Sequence, residues 1–283
     1  MAIENISDTA RWVAVYRAME SARPDAIFRD PFAERLAGDR GRKILNSIPR
    51  GNAYAWPMIV RTAVFDEIVL DAVRNKGADL VVNLAAGLDA RPWRLDLPPS
   101  LHWVDVDLPG ILNYKTETLE GEPTACRYEA VTADLRDVKG RRAIFSRLGA
   151  GSSRALVLSE GLLIYLPAEQ VAALAADLHA QPSFREWMID LGSPQLLKRM
   201  KRMWGKNLEG GGAPFVFAPA EGTEFFRPYG WREERFLSLW EEAGRLQRTM
   251  KGAWFWNLAG RVLPRKTREN VRRFSGFVLL ERI

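Results

Sequence analysis

The chain has 283 residues, 47% of them hydrophobic, and a formal net charge of +6. That composition supports a full core in one large domain, or one domain with an appended subdomain, and it excludes a disordered chain. The single cysteine, Cys126, excludes an intrachain disulfide framework and points to a reducing compartment, while the basic balance suits nucleic acid, anionic lipid or acidic small substrates without choosing among them.

In chain order, the N-terminus "MAIENISDTARW" carries Glu4 and Asp8 and no apolar run, so it is not a signal peptide. No window reaches the roughly 18 apolar residues of a membrane span, and a cytoplasmic protein is expected. "DTARWVAVYRAMES" reads as a helix behind an Asp/Thr cap. "DPFAERLAG" reads as a helix that starts at Asp-Pro and stops at Gly38. "PMIVRTAVFDEIVLDAVRNKG" is a third helix from Pro57 to Gly77, with Val60, Val64 and Ile68 on one face.

The pattern then changes. "DLVVNLA" (79–85), "LHWVDVD" (101–107), "YEAVTAD" (128–134), "RALVLSE" (154–160) and "EWMIDLG" (186–192) read as strands, the last after a helix "PAEQVAALAADLHA". Near-continuous apolar strands alternating with helices predict an α/β fold, with a mainly parallel sheet covered on both faces. Residues 193–230 break the rhythm with a basic helix, a glycine run and Pro-punctuated aromatics, and read as a lid insertion. "WREERFLSLWEEAG" reads as a helix and "GFVLLERI" as a last strand. The expected organisation is a helical extension over 1–76, an α/β core over 77–192, the lid over 193–230, and the end of the core over 231–283.

In an open parallel sheet, ligands bind beyond the carboxyl ends of the strands. The residues there are Ala86-Gly87-Leu88-Asp89 after the first strand, Asp105 and Asp107 at the end of the second, Asp134-Leu135 after the third, and Glu160 after the fourth. The turn "NLAAGLD" has one glycine, so it is neither a G-x-G-x-x-G fingerprint nor a phosphate loop. Gly87 permits close approach at one point, and an acid at the second strand end accepts hydrogen bonds from both hydroxyls of a ribose. A nucleoside without phosphates fits, and S-adenosylmethionine is such a ligand, although its carboxylate requires a cation.

The segments "SDTARWVAVYRAMESARPDAIFRDPFAERLAG", "VRTAVFD", "NLAAGLDARPWRL", "WVDVDLPGILNYK", "ADLRD" and "SEGLLIYL" follow one another in an order and spacing that resembles the leucine carboxyl methyltransferase family, in its bacterial tetracenomycin-type O-methyltransferase branch. The likeness spans most of residues 7–170 and is weak over 193–265. It implies a Rossmann-like class I methyltransferase sheet with an N-terminal helical extension and a lid, and S-adenosylmethionine as cofactor. By the same resemblance Arg61 pairs with the methionine carboxylate and Arg11 assists it. Gly87 is the turn glycine, and Asp107 is the ribose acid with Asp105 as fallback. Asp134 and Leu135 hold the adenine edge, Glu160 faces the methionine moiety, and Tyr165 joins Glu160 as a candidate catalytic residue. The family usually reads L-G-A-G-L-D-T-R where this chain has Ala85 for the first Gly and Ala90 for Thr; Ala85 is tolerated if its φ is negative.

Simpler readings stand beside these. Asp89 reads as the cap of the following helix, Arg91 and Arg94 as surface or ion-pair residues, Cys126 as an inert structural thiol, and Asn83 has no assigned role. Arg61, taken alone, is a snorkelling surface arginine. The aromatics Trp204, Phe215, Phe217, Phe225, Phe226, Tyr229 and Trp231 are lid packing or a pocket wall. Of the two histidines, His102 starts the second strand, roughly 16 Å from the ligand end at about 3.3 Å per residue, and His179 closes a helix that runs away from it. A histidine base is therefore not expected, nor a His/Cys metal site. Without a base, an already ionised acceptor is favoured, which predicts an O-methyltransferase acting on the carboxylate of a small or medium organic acid under the lid cations Lys198, Arg199, Lys201, Arg202 and Lys206. The alternative is an RNA-binding protein or RNA methyltransferase using the basic clusters 198–206 and 261–273, although no RNA-binding module signature is present. A nicotinamide oxidoreductase would need the missing glycine fingerprint. The acceptor's identity and the oligomeric state are not encoded legibly.

Overall fold

Five apolar runs form the parallel part of one seven-stranded sheet: β1 (Leu80–Leu84), β2 (His102–Asp107), β3 (Arg127–Thr132), β4 (Ala155–Ser159) and β5 (Phe184–Gly192). Two more strands, β6 (Trp231–Ser238) and β7 (Ser275–Arg282), complete the order β3-β2-β1-β4-β5-β7-β6, with β7 antiparallel to both neighbours. The computed structural model describes residues 7–48, 51–209, 214–250, 252 and 264–283.

Strand alternation sorts the core into two layers. Val82, Leu84 and Val157 face one side with Phe145 and Leu148 of α6 (Val138–Ala150) and Val171, Leu174 and Leu178 of α7 (Ala168–His179). Val81, Leu156 and Leu158 face the other side with Val60, Val64 and Ile68 of α3 (Ala55–Arg74). Each fully buried Val or Leu contributes about 1.5–3 kcal/mol relative to exposure, so both layers are strongly fixed. A third cluster joins α1 (Ser7–Ser21) and α2 (Ala33–Ser47) to the short α4 (Arg91–Arg94) and to α5 (Pro109–Thr118).

Three local expectations are corrected. α2 does not stop at Gly38: the glycine takes φ 58° and ψ −174°, kinks the helix, and the helix resumes to Ser47. Asp8 is not a cap but lies in the first turn of α1, where its carboxylate receives Arg40 Nε and Nη2 at 2.5 and 2.6 Å. "WREERFLS" is not helical. It is β6, an edge strand with an irregularity between Glu233 and Arg235, and helix α9 begins only at Leu239 (Leu239–Arg245). Pairing with β7 and burial of Trp231 and Phe236 outweigh the helix propensity of Glu and Arg here.

The insertion contributes α8 (Pro194–Glu209), whose start is held to the end of the following helix α10 (Arg265–Arg272) through Ser193 N donating to Phe274 O at 3.0 Å. Among the described residues no helix is long and apolar enough to cross a membrane.

Candidate active site

A cleft of about 1850 Å³ opens over the carboxyl ends of β1–β5, where the sheet order reverses between β1 and β4. Its floor begins at the turn after β1. Gly87 has φ 53°, and a Cβ there would stand 3.1 Å from Ala10 Cβ on α1. The Gly87 amide donates to Asp107 Oδ2 at 2.6 Å, and the Leu108 amide donates to Asp107 Oδ1 at 2.7 Å. Burial raises the Asp107 carboxyl above its ordinary value, although the two amides pull the other way. Each oxygen keeps further accepting capacity, and Asp107 lines the cleft. Ala85 departs from expectation: its φ is 51°, so the chain keeps a glycine-type conformation with an alanine.

Asp134 and Leu135 both line the cleft, beyond β3. Asp134 holds the Arg136 side chain, through Oδ2 to Nη2 at 2.6 Å among other bonds, which keeps its carboxyl below the ordinary range. Leu135 packs on the core with its backbone at the rim, where its carbonyl accepts from Arg141 Nη1 at 2.7 Å.

Two expected residues lie elsewhere. Asp105 does not line the cleft. It sits one strand repeat deeper than Asp107, is fully enclosed, and its oxygens accept from Lys115 Nζ (2.5 Å), Trp103 Nε1 (2.9 Å) and Asn83 Nδ2 (3.0 Å). Arg11 also points away: its guanidinium stacks 3.6 Å over the Tyr114 ring, while Thr9, Ala10, Trp12 and Val13 are the α1 residues at the cleft.

The wall opposite Asp107 is an ionic chain. Arg61, on α3, places Nε 2.9 Å from Glu160 Oε1 and donates Nη1 to Asp190 Oδ2 at 3.1 Å. Its buried Nε makes no hydrogen bond among the described residues despite that 2.9 Å approach. Asp190 in turn accepts from the Gly161 amide at 2.7 Å. Arg91 joins Glu160 (2.9 Å), Asp89 (2.5 Å) and Asp66 (2.6 Å), and Arg94 binds both oxygens of Asp66. With Asp30, which lies 3.8 Å from Arg94 and is bound by Arg17, four guanidinium groups meet five carboxylates (Asp30, Asp66, Asp89, Glu160 and Asp190), a local excess of one negative charge. Burial alone would raise Asp89, but Arg91 and Arg94 outweigh it and bring it to about 2. Asp89 Oδ1 also accepts from the amide of Arg91, the first residue of α4, at 2.9 Å, but the N-cap position is Ala90 and not Asp89. Arg91 and Arg94 are ion-pair residues, but both side chains are buried, not on the surface.

Reading strand ends found Glu160 but passed over Asp190, which occupies the equivalent position near the end of β5 in "EWMIDLG". Asn83 was also missed. It lines the cleft floor and donates to both Asp89 and Asp105 at 3.0 Å.

Tyr165 lines the cleft beside the lid. It stacks with Phe215 at 5.5 Å, and its hydroxyl bonds the Thr9 side chain. Burial pushes that hydroxyl above its ordinary value, so it stays protonated at neutral pH. The aromatic insertion divides. Phe215 and Phe217 face the cleft, whereas Phe225, Phe226, Tyr229 and Trp231 pack on one another or on Trp187. Of the described lid cations, Arg199 reaches the cleft, as do Arg268 and Arg272 of α10, while Lys198, Lys201 and Arg202 do not. The side chains of Trp204 and Lys206 lie outside the described residues. Neither histidine is at the cleft: His102 Nε2 is 3.0 Å from Glu129, and His179 Nε2 is 3.1 Å from Ile283 O. Cys126 is buried, which pushes its thiol up to about 11 and fits an inert role.

Comparison with known proteins agrees with this architecture. The chain is 36% identical over 188 residues to a protein of Mycolicibacterium gilvum and 31% identical over 242 residues to one of Frankia alni, both named as candidate S-adenosyl-L-methionine-dependent methyltransferases. The first match spans 60% of this chain and 60% of that relative; the second spans 81% and 83%. A solved structure of a candidate methyltransferase from Thermobifida fusca superposes with a TM-score of 0.60 at 15% identity, over 100% of this chain and 96% of that one, and shares the fold. The leucine carboxyl methyltransferase profile matches residues 10–179, so the ends of β1–β4, the Gly87 turn and Arg61 lie within it, and the chain belongs to that family.

Proposed function

We propose that the protein is an S-adenosylmethionine-dependent O-methyltransferase that methylates a carboxylate. The observation that carries the cofactor assignment is the pairing of two features across the cleft: the Gly87–Asp107 unit, and the buried Arg61 guanidinium, whose Nε has no hydrogen-bond partner among the described residues. In this reading Asp107 takes the ribose hydroxyls, and Gly87 leaves room where a Cβ would meet Ala10. Asp134 and the Leu135 backbone meet the adenine edge. The Arg61 guanidinium donates to the methionine carboxylate, and the local negative excess on Glu160 and Asp190 holds the ammonium and offsets the sulfonium. The donor set therefore suits a zwitterionic sulfonium nucleoside without phosphates.

S-adenosylmethionine supplies an activated methyl group when bound. What this chain adds is alignment and exclusion of water, so proximity carries most of the rate. Tyr165, protonated at neutral pH, is placed to donate to an acceptor oxygen rather than to remove a proton. Glu160 is engaged by Arg61 and Arg91, which suits an electrostatic role more than a basic one. With no histidine at the cleft among the described residues, an acceptor already ionised at pH 7 is the simplest partner. Arg199 offers it a cation from the lid. Calorimetry with the demethylated cofactor tests the cofactor assignment, and mass spectrometry for the gain of one methyl on candidate acids tests the reaction. Absence of binding to both cofactor forms would overturn the reading.

A further inference from the structure

The cleft exceeds what the proposed cofactor needs. At about 1850 Å³ it is roughly twice the upper end of ordinary single-ligand sites, which run to about 1,000 Å³. Beyond Arg61 the lining continues toward the N-terminal end of α3. Met58 is one helical turn from Arg61, and Trp56 follows it along the cleft. The Trp56 ring meets Trp240 of α9 edge-on at 6.3 Å. The far end is closed by Arg248, whose Nε and Nη2 both bind the Glu20 carboxylate, at 3.0 and 2.8 Å. That buried clasp brings Met19 on α1 and Met250 to the same end of the cleft.

The lining is unusual in kind as well as extent. Five of the seven methionines in the sequence line this one cleft: Met19, Met58, Met200, Met203 and Met250. Met200 and Met203 come from one face of α8 with Leu196, and they roof the cleft. Met203 and Met250 remain 39% and 42% exposed, so apolar surface is left uncovered there. Methionine is unbranched and adaptable, and it suits an apolar partner without a fixed shape. A rigid polycycle is better matched by a fixed aromatic slot.

We propose that the distal arm of the cleft binds the tail of a straight-chain aliphatic acid, and that the methionines make this site tolerant of chain length. The carboxylate end stays at Tyr165 and the tail runs past Met58 and Trp56 to Met19 and Met250. This rests on the methyl-transfer reading only for the fate of the carboxylate.

The test is direct titration of the full-length chain, without cofactor, by straight-chain carboxylates of increasing length below their micelle concentrations, read from tryptophan fluorescence. The Kd should fall about fourfold per added methylene until the arm is filled. A rigid polycyclic acid of equal volume should bind at least tenfold more weakly than the straight-chain acid. Met58→Gln and the more exposed Met250→Gln should each weaken the ten-carbon acid at least threefold and reduce the slope of the series. A flat series, or a slope untouched by both variants, overturns the proposal. If long acids bind with this slope but gain no methyl, the distal site stands and the carboxyl-methylation reading falls. Methyl transfer with a flat series does the reverse.

Discussion

The Gly87 amide and the Asp107 carboxylate are joined by a 2.6 Å hydrogen bond, so the turn after β1 and the end of β2 form one rigid unit. Gly87→Ala would put a Cβ 3.1 Å from Ala10 and force a side chain onto φ 53°. The expected cost is about 1–2 kcal/mol in urea unfolding, with affinity for the demethylated cofactor reduced at least fivefold in calorimetry. Wild-type values in both measurements would remove the turn from the site.

Arg61→Ala should weaken the demethylated cofactor by more than about 1.5 kcal/mol, the lower value for a hydrogen bond to a charged group. Arg61→Lys should recover only part, because an ammonium cannot serve Glu160, Asp190 and a ligand carboxylate with the same planar fork. Equal affinity for all three proteins would place the carboxylate partner elsewhere.

Gly87 and Asp107 were legible in the sequence because parallel strands deliver ligand residues at their carboxyl ends, whereas Arg61, on a helix, was legible only through the family resemblance. What the sequence hid is direction and depth. Asp105 and Asp107 share a face of β2, but a difference of two residues sets the first beneath Lys115 and leaves the second at the rim. Arg11 was misplaced because the mixed pattern of α1 does not mark which side faces the cleft. Arg91 and Arg94 read as surface or ion-pair residues, and their burial was hidden because nothing local reveals Asp66, a partner 25 and 28 positions away. β6 was misread because its charged residues favour a helix until β7 offers a ladder.

Ala85 retains a left-handed backbone, with φ 51°. Ala85→Gly should relieve about 1–2 kcal/mol of strain, partly offset by about 0.4–1 kcal/mol of added unfolded-state entropy. The net expectation is a small gain in urea midpoint at unchanged m-value. A lower midpoint would mean the methyl packs better than its backbone is strained.

Acid should act through Asp89. Its carboxyl is brought down to about 2 from an ordinary 3.8, so it adds stability that is complete above the ordinary value and is lost as pH falls toward 2. The contribution is about 2 kcal/mol at neutral pH. Asp89→Asn should flatten the fall in unfolding free energy between about pH 4 and 2. An unchanged acid limb would assign that loss to other carboxylates.

Turnover should separate acceptor oxygens. A carboxylate with a pKa near 4 gives a rate flat from about pH 6 to 9. Tyr165 adds no slope there, because its raised pKa keeps it protonated across the window. A log-linear rise toward about pH 10 would identify a phenol and withdraw the carboxylate assignment.

The strand order has a consequence for how the molecule is made. β7 follows β6 in the chain yet lies between β5 and β6. As the polypeptide leaves the ribosome, β6 is complete at Ser238 but lacks its partner β7 until synthesis reaches Arg282. At roughly 5–20 residues per second that is a wait of seconds. During it Trp231 and Phe236 lack their β7 cover and the β5 edge stands open, a row of unpaired backbone groups exposed to wrong partners.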